Sequence, residues 1–552
     1  QLARGRATVA SGRPATPEAQ AGISVTVHRG NGGRGAPSAA SVLLGLVAAS
    51  VAVYAIRVAT APLDRMVEFV PDDAFYYLVL ARNFVRVGRW TSDAGLTLTS
   101  GFHLLHAYLL AGIYALFTPG NRVFTAMAVA WCTGLSLVAI GLAVLHERST
   151  HRDGVLWAAA LIGSSPNFMA NAVSAMEWPL VVVAAATYVL LLHDRRRPRW
   201  MMFAVGFIGS LARSDFGLLP ACLYTAGWMG TRDDARPYRR DALAGLLGAA
   251  FGVVAVLVHH AIASAAFLQY SARIKLHWST FLTPAERIHA IPRQLLELTT
   301  GLEPSTTRLF NMAVFAVGAL LLGRAALNAL RRCVHGPSVP AATLATVVGS
   351  ALAIIGYALV YTQDGEVQVW YSANLVVPVL CLLTAGIAAM GPRARAVFLS
   401  AIAVIVVHNV ATVQMHAAHT MPHQRLMLAA GRYLAGHPEA VRGRVGAWNA
   451  GVMGFAQGGT IVNLDGLVNN EVYPYVVGDS LASYLARRGI GTIVDFDVML
   501  TGRYAQRGGY GDGVLARSLR ERRTIATDAQ TGRSIAMFQV DPTALRSAPG
   551  DR

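Results

Sequence analysis

Long apolar runs separated by short polar segments make up most of the chain. A membrane-spanning helix needs roughly 20 consecutive apolar residues, and many of these runs approach or reach that length. The pattern therefore predicts a polytopic α-helical membrane protein. The candidate crossings are residues 39–60, 122–145, 154–167, 178–193, 200–212, 216–230, 241–263, 305–323, 340–361, 373–391 and 396–413.

Arginine clusters between the runs indicate the topology, because cytoplasmic loops of membrane proteins are enriched in basic residues. All clusters fall on one side of the membrane if the run 102–118, which contains polar residues, lies at the interface rather than crossing. This arrangement gives about eleven crossings, with the N-terminus in the cytoplasm and the C-terminal region outside. The clusters are Arg148/Arg152, Arg195–Arg199, Arg232–Arg240, Arg324–Arg332 and Arg393/Arg395.

Three regions follow from this pattern. Residues 1–38 are rich in Gly, Ala, Pro, Ser and Arg, which predicts a disordered basic cytoplasmic tail. Residues 39–413 form the predicted transmembrane domain, with a long first outer loop at 61–121. Residues 414–552 alternate strand-like and helical stretches, which predicts a small extracytoplasmic α/β domain with partly parallel strands. The strand-like runs are Arg444–Ala447, Thr460–Leu464, Gly491–Asp495 and Ser534–Val540.

Composition supports the membrane assignment and narrows the function. Hydrophobic residues make up 54% of the 552 and charged residues only 14%, against about 25% charged in an average soluble domain. The net charge of +17 would suit a nucleic-acid binder, but the basic residues lie between apolar runs, so we expect a bilayer and no nucleic acid. Lys275 is the only lysine among 47 basic residues. With the Ala-, Gly- and Val-rich composition, this favours the plasma membrane of a high-GC bacterium.

Cofactor motifs are absent from the sequence. The four cysteines show no CxxC or disulfide-like spacing, so neither a redox motif nor a zinc site is indicated. We expect no cofactor; a divalent metal is compatible with the acidic residues but not indicated by them.

Two adjacent carboxylates, Asp72 and Asp73, open the first outer loop just after a membrane exit. Such a pair is costly at a membrane surface unless it is solvated, paired or used. One interpretation is a general base that takes a proton from an acceptor hydroxyl. The other is a helix N-cap, because Asp before an apolar-periodic segment is a common start signal.

The loop resembles the first periplasmic loop of bacterial GT-C glycosyltransferases. Relatives in this class include protein O-mannosyltransferases, lipid A aminoarabinose transferases and mycobacterial arabinofuranosyltransferases. The resemblance covers most of residues 40–540, although His103-Leu104-Leu105-His106 stands where the class has His-Pro-Leu-Trp. The segments that carry it are Asp72–Tyr77, Ala81–Asn83, Gly88, Thr99–His103, Ser174–Glu177, Ala212–Asp215, Val369–Tyr371, Ala447–Gly451 and Ile461–Asn469.

The resemblance implies inverting transfer of a sugar from a polyprenyl-phosphate donor to a glycan, lipid or protein acceptor on the non-cytoplasmic face. In this class the first acidic residue of the loop motif usually acts as the base, which maps onto Asp72, with Asp73 orienting the acceptor or the base. His103 belongs to the same motif and is a candidate substrate-binding residue.

Two outer loops carry further charged candidates. Glu177 would bind the acceptor substrate or, as a less favoured alternative, a metal; otherwise it would be an interfacial carboxylate that reaches toward water. Arg213 and Asp215 would divide between donor phosphate and sugar hydroxyls, or form a structural ion pair. Arg273 and Lys275 would stabilise the leaving phosphate from one side of an extended segment; the alternative is contact with lipid headgroups.

The remaining candidates are aromatic or follow strand-like runs. Trp370 and Tyr371 would stack on a sugar, although anchoring in the aromatic belt of the bilayer is the commoner reason for such residues. Asn449 and Asp465 would face a membrane cavity from the C-terminal domain, or serve Asx turns.

A transporter or flippase of lipid-linked sugars is the alternative function. It would explain the crossings and a cationic outer loop without a base. Inverted repeats or charges in the middle of crossings would favour it, and the sequence shows neither. The acidic residues lie at one membrane face, which favours an enzyme.

Overall fold

A computed structural model describes residues 38–150, 154–194, 196–229, 236–300, 341–364, 367–510 and 513–546. The predicted crossing at 305–323 and the following arginines at 324–332 lie outside the described residues, as do residues 1–37 of the predicted tail.

In the described part of the N-terminal three quarters of the chain, helices occupy the predicted apolar runs. They are α1 (Ala39–Thr60), α2 (Leu63–Met66), α3 (Asp72–Val87), α4 (Leu104–Phe117), α5 (Asn121–Thr150), α6 (Gly154–Ser164), α7 (Pro166–Ala172), α8 (Trp178–His193), α9 (Arg199–Ala212), α10 (Leu218–Met229), α11 (Arg236–Ser264), α12 (Tyr270–Ser279), α13 (Pro284–Thr300), α14 (Ala341–Tyr361), α15 (Ala373–Ala389) and α16 (Pro392–His416).

Six helical segments of the described chain are long and apolar enough to cross a membrane: Ala39–Thr60, Asn121–Glu147, Arg236–Ser264, Ala342–Tyr361, Val369–Ala389 and Pro392–His416. They make the chain a multi-pass membrane protein. Helices α6, α8 and α9 are apolar but only 11, 16 and 14 residues long, short of the roughly 20 that a straight crossing needs. The count of about eleven crossings and the orientation of the termini stay predictions.

The predicted first outer loop contains α2 and then α3. Pro71 precedes the helix at φ −65°, an angle that proline imposes and a helix start accepts. The helix ends at Gly88, whose φ of 70° closes it in the left-handed conformation. The loop then folds around Asp93, whose carboxylate accepts hydrogen bonds from Thr91 at 2.6 Å and Thr97 at 2.7 Å. Burial raises the pKa of Asp93, and these hydrogen bonds oppose the rise.

The C-terminal region contains a five-stranded sheet in the order β2-β1-β3-β5-β4. Strand β1 pairs in parallel with β2 and β3, and β5 pairs antiparallel with β3 and β4. Four of the strands confirm the strand-like runs seen in the sequence; β4 was not predicted. The strands are β1 (Arg444–Ala447), β2 (Val462–Asn463), β3 (Ile490–Phe496), β4 (Leu519–Thr527) and β5 (Ser534–Val540). The helices are α17 (Gln424–Gly436), α18 (Ala450–Gln457), α19 (Tyr473–Val477), α20 (Leu481–Arg488), α21 (Gly502–Arg507), α22 (Val514–Ser518) and α23 (Pro542–Arg546).

The apolar core continues from the membrane helices into the C-terminal region. Phe75 of α3 packs against Phe455 of α18, with ring centroids 5.2 Å apart. A Cβ at Gly101 would lie 1.6 Å from the carbonyl oxygen of Leu467, so the first loop can pack against the segment after β2 only with glycine there. The domain boundary at residue 414 stays a prediction, although the whole sheet lies beyond it.

Candidate active site

The site forms where one edge of the sheet meets the start of α3. The three parallel strands β1, β3 and β2 end beside Asn449, Asp495 and Asp465 respectively. Carboxyl ends of parallel strands lie at one edge of a sheet, so residues distant in sequence come together there. Asn449 and Asp465 therefore line a cavity with the acidic pair, and Asp495 lies behind them.

The hydroxyl of Tyr76 links α3 to the C-terminal region. It lies 3.0 Å from the carbonyl oxygen of Trp448 and 3.2 Å from Oδ2 of Asp465, and it accepts hydrogen bonds from the backbone of Ala450 and the amide of Asn463, each at 3.1 Å. Tyr76 belongs to the sequence motif that begins at Asp72, but no role was predicted for it. Partners about 370 residues away cannot be read from a local pattern.

Asp72 contacts another helix rather than capping its own. The N-cap of α3 is Pro71, and Oδ1 of Asp72 accepts a 2.6 Å hydrogen bond from the backbone N–H of Val452 in α18. The capping interpretation was therefore wrong. A Cβ at Gly451 would lie 2.6 Å from the same oxygen, so the close approach of α18 requires glycine.

Burial and neighbouring charges make Asp72 a weak acid. Burial raises its pKa to about 7, the charges of Asp73 and Asp495 add to the rise, and N–H groups of Val452 and Gly451 oppose it. A carboxylate with a pKa near the working pH suits proton transfer, because both protonation states are accessible.

Two cavities meet at the acidic pair. The first has a volume of about 360 Å³ and the second about 710 Å³. Both are lined by Asp73, Tyr76, Trp370 and Leu467, whereas Asp72 lines the second alone. Asp73 is therefore the member of the pair that borders both spaces.

The first cavity contains a buried group of charges around Arg213. Its Nε donates to Asp215 at 3.0 Å, and its guanidinium lies 3.4 Å from Glu177. Nε2 of His103 lies 3.6 Å from the same Glu177 oxygen. Arg213 and Asp215 thus form the ion pair considered from the sequence, and Glu177, 1% exposed, does not reach toward water.

The charges in this group set the protonation of its acids. Burial alone would raise the pKa of Glu177, but the charges of His103 and Arg213 outweigh it and lower the pKa. Asp215 behaves in the same way, with Arg213 as the main opposing charge. Burial lowers the pKa of His103, partly offset by Glu177. Both carboxylates are therefore ionised at neutral pH.

Aromatic side chains complete the first cavity. Trp370 and Tyr371 lie on the turn Val369–Ser372 before α15 and are 7% and 5% exposed, so they line the cavity instead of facing lipid. The Lys275 ammonium bonds to the hydroxyl of Tyr371 and lies 4.7 Å from the centroid of its ring.

The extended segment predicted for Arg273 and Lys275 was wrong. Both lie on helix α12, where Ile274 and Trp278 are buried one turn apart. Residues two apart on a helix point in different directions, so Lys275 lines the first cavity and Arg273 does not. Arg273 is exposed, and its guanidinium carbon lies 4.8 Å from the ring centroid of Tyr270 and 4.4 Å from that of Tyr473.

The second cavity lies between the acidic pair and the C-terminal region. Asp72, Asp73, Asn449 and Asp465 line one part of it. Burial raises the pKa of Asp465 well above its usual value, with Asp73 and Asp72 adding to the rise. Aromatic and basic residues line the rest: Trp278, His423, Trp448, Phe496, Tyr504, Arg507 and Arg533. Within the described residues, no group of three or more His, Cys, Asp or Glu side chains could hold a metal ion.

Comparisons with known proteins identify the fold. No family model matches the chain, and no curated protein matches it in sequence. Solved structures do match. The crystal structure of ArnT from Cupriavidus metallidurans bound to undecaprenyl phosphate has a TM-score of 0.55 at 12% identity, covering 91% of this chain and 98% of that one.

The oligosaccharyltransferase AglB from Archaeoglobus fulgidus, in complex with an inhibitory peptide and a dolichol-phosphate, has a TM-score of 0.50 at 13% identity. The match covers 90% of this chain and 74% of AglB. A structure of the same enzyme tethered to an acceptor peptide gives 0.51 at 13% identity, with the same coverage. Both proteins are GT-C enzymes, and the chain has the fold of the GT-C glycosyltransferases.

Proposed function

We propose that this protein is a membrane glycosyltransferase that moves a sugar from a polyprenyl-phosphate donor to a hydroxyl of a cell-envelope acceptor. The observation that carries the proposal is the position of the acidic pair between two cavities. A donor in one cavity and an acceptor in the other would meet beside Asp72 and Asp73. The reaction would take place on the outer face of a bacterial plasma membrane, with the N-terminus in the cytoplasm.

The first cavity suits the donor because it holds Lys275. The ammonium of this residue contacts Tyr371 and lines the cavity, so it can bind the phosphate and stabilise the charge that grows on it as the glycosidic bond breaks. Arg213 is a weaker candidate, because Asp215 and Glu177 already neutralise it. The ArnT structure holds undecaprenyl phosphate in the same fold, which supports a lipid-phosphate donor.

Carboxylates in the first cavity suit the sugar. Oε2 of Glu177 is buried and has no hydrogen-bond partner within the described residues. A buried carboxylate oxygen gains most from a hydroxyl or amine that donates to it. Glu177 and Asp215 would therefore accept hydrogen bonds from the donor sugar while Trp370 packs against its ring.

The second cavity suits the acceptor. Asp72 would take the proton from the acceptor hydroxyl, and the oxygen would attack the anomeric carbon from the side opposite the phosphate. The carbon–oxygen bond to the phosphate would break, the polyprenyl phosphate would leave beside Lys275, and the anomeric configuration would invert. Asp73, which borders both cavities, would hold the acceptor hydroxyl in line. Asn449 and Asp465 would contact the acceptor, which is a glycan, a lipid or a protein.

Transfer from a panel of radiolabelled undecaprenyl-phosphate sugars to a cell-envelope extract tests the proposal. The proteins are wild type, Asp72→Asn and Asp73→Asn in nanodiscs. We expect transfer by the wild type and a fall in kcat of about 10³-fold in Asp72→Asn, since a general base contributes roughly 10²–10⁴-fold. Binding of undecaprenyl phosphate should be unchanged in Asp72→Asn. Asp73→Asn should fall less far.

Two results would overturn this account. Donor binding without transfer by any of the proteins, with an extract that contains competent acceptors, would favour a transporter of lipid-linked sugars. A larger loss in Asp73→Asn than in Asp72→Asn would assign the base to Asp73.

A further inference from the structure

Asp495 is a buried carboxylate that lies behind the site and lines neither cavity. It is the penultimate residue of the central strand β3 and is fully buried. Its Oδ2 accepts hydrogen bonds from the backbone N–H groups of Trp448 at 2.7 Å and Asn449 at 3.0 Å, and its Oδ1 accepts one from the side-chain amide of Asn449 at 2.7 Å. One carboxylate thus fixes the turn that leads from β1 into α18.

The residues that follow this turn begin α18 and contact α3. The N–H of Ala450 donates to the Tyr76 hydroxyl at 3.1 Å, and the N–H of Val452 donates to Asp72 at 2.6 Å. The N–H of Gly451 also lowers the pKa of Asp72. Four backbone N–H groups at this junction are therefore divided between Asp495, Tyr76 and Asp72, and Asp495 accepts hydrogen bonds from two of them.

We propose that Asp495 is a positioning residue for Asp72: by fixing the turn at Trp448 and Asn449, it holds the N–H of Val452 on the Asp72 carboxylate. The proposal rests on the proposed function, in which Asp72 is the base. Asp495 does not touch substrate. Its effect on the reaction passes through the backbone and reaches the acceptor hydroxyl only at Asp72.

Asp495 acts on Asp72 in two opposite ways. Its negative charge raises the pKa of Asp72, whereas the N–H groups that it positions lower that pKa. The hydrogen bond from Val452 lowers the pKa of Asp72 more than the charge of Asp495 raises it. Loss of the anchor should therefore raise the pKa. The other titratable groups that line the second cavity with Asp72 are Asp73, Tyr76, His423, Asp465, Tyr504, Arg507 and Arg533, and none of them is altered by the test.

The test compares Asp495→Asn with the control Asp497→Asn. An asparagine keeps only one acceptor oxygen and places an NH2 group either against the Asn449 side-chain amide or against the backbone N–H groups of Trp448 and Asn449, so the anchor is weakened with little change in size. Asp497 lies two residues further on, is partly exposed and pairs with Arg522 and Ser534 away from the site. In Asp495→Asn we expect kcat to fall roughly 10–100-fold, the scale of a displaced catalytic group. The acidic limb of the kcat–pH profile should move up by about one unit.

A second variant covers the case in which Asp495→Asn does not fold. Gly451→Ala would place a Cβ 2.3 Å from the Asp72 carbonyl oxygen and 2.6 Å from Oδ1, so α18 must move away. We expect the same fall in kcat and the same upward shift of the acidic limb of the kcat–pH profile. Binding of undecaprenyl phosphate should stay at the wild-type value, which would show that the first cavity is folded.

A double variant separates positioning from a general structural role. If Asp495 acts through Asp72, adding Asp495→Asn to Asp72→Asn slows transfer no further. The proposal would be overturned if the losses in kcat of the two single variants multiply in the double variant. It would also be overturned if the acidic limb of the kcat–pH profile of Asp495→Asn stays in place or moves to lower pH. Absence of transfer by the wild type would instead overturn the proposed function, so the two failures are distinguishable.

Discussion

The two cavities share a wall but differ in the charges that they present. In the first, the Lys275 ammonium contacts the hydroxyl of Tyr371, whereas Arg213 is paired with Glu177 and Asp215. In the second, Asp72 and Asp465 are carboxylates whose pKa values are raised. One space is therefore equipped to stabilise a growing negative charge, and the other to receive a proton. A transfer between a phosphate leaving group and a hydroxyl nucleophile needs both.

The difference is produced by the parts of the chain that build each cavity. Membrane helices and the loops that follow them supply the first, through α12 and the turn at Val369–Ser372. The C-terminal region supplies most of the second, through the ends of parallel strands and through α21. Trp370 and Leu467 line both cavities. A change on one side should consequently affect one substrate and leave the other nearly unchanged.

Replacing Lys275 should produce the largest difference between the effect on donor binding and the effect on acceptor binding. In Lys275→Met we expect roughly 10–100-fold weaker binding of undecaprenyl phosphate, because hydrogen bonds to charged groups contribute about 1.5–3 kcal/mol. The acceptor KM should stay constant. Arg273→Met is the matched control on the same helix and should change binding less than about threefold. Titration of both variants in nanodiscs measures this, and equal losses in the two would remove the basis for assigning the phosphate to the first cavity.

The dependence of kcat on pH should reflect the protonation of Asp72 in the second cavity. In the proposed reaction Asp72 would act as a base only when ionised, and burial raises its pKa to about 7. Below that pH the carboxylate is protonated, so kcat should fall about tenfold for each unit. We expect binding of undecaprenyl phosphate to vary less over the same range. A kcat that stays constant from about pH 5 to pH 8 would show that no group with this pKa takes the proton.

An aromatic residue on the acceptor side should have the smallest effect. Tyr504 lines the second cavity alone. Tyr504→Ala should raise the acceptor KM roughly 2–10-fold, the range of a lost aromatic contact of about 0.5–1.5 kcal/mol. Affinity for undecaprenyl phosphate should not change. If that affinity falls instead and the acceptor KM stays constant, the substrates occupy the cavities in the opposite order.

Much of the fold was predictable because its signals are local. Apolar runs located the helices, and alternating segments located β1, β3 and β5. Strand β4 was missed because Arg520, Arg522 and Arg523 interrupt its apolar pattern; it lies at the edge of the sheet, where charged side chains face solvent. The pattern of α12 was available but misread: Ile274 and Trp278, four residues apart, are the spacing of one helix face.

The candidate site was only partly predictable. Local motifs singled out Asp72, Asp73 and Lys275, because adjacent acids and a lone lysine are visible in the sequence. Asp495 ends a strand-like run, as Asn449 and Asp465 nearly do, and that shared position was a usable signal. The roles of Gly451 and Tyr76 depend on contacts between segments more than 370 residues apart, and no periodicity carries that information.

A cryo-EM structure of the protein in nanodiscs with undecaprenyl phosphate would test the central claim most directly. We predict phosphate density in the first cavity, within about 4 Å of the Lys275 ammonium, with the second cavity left open for an acceptor. Phosphate density in the second cavity, beside Arg507 or Arg533, would contradict the assignment of donor and acceptor to the two cavities and with it the proposed direction of attack.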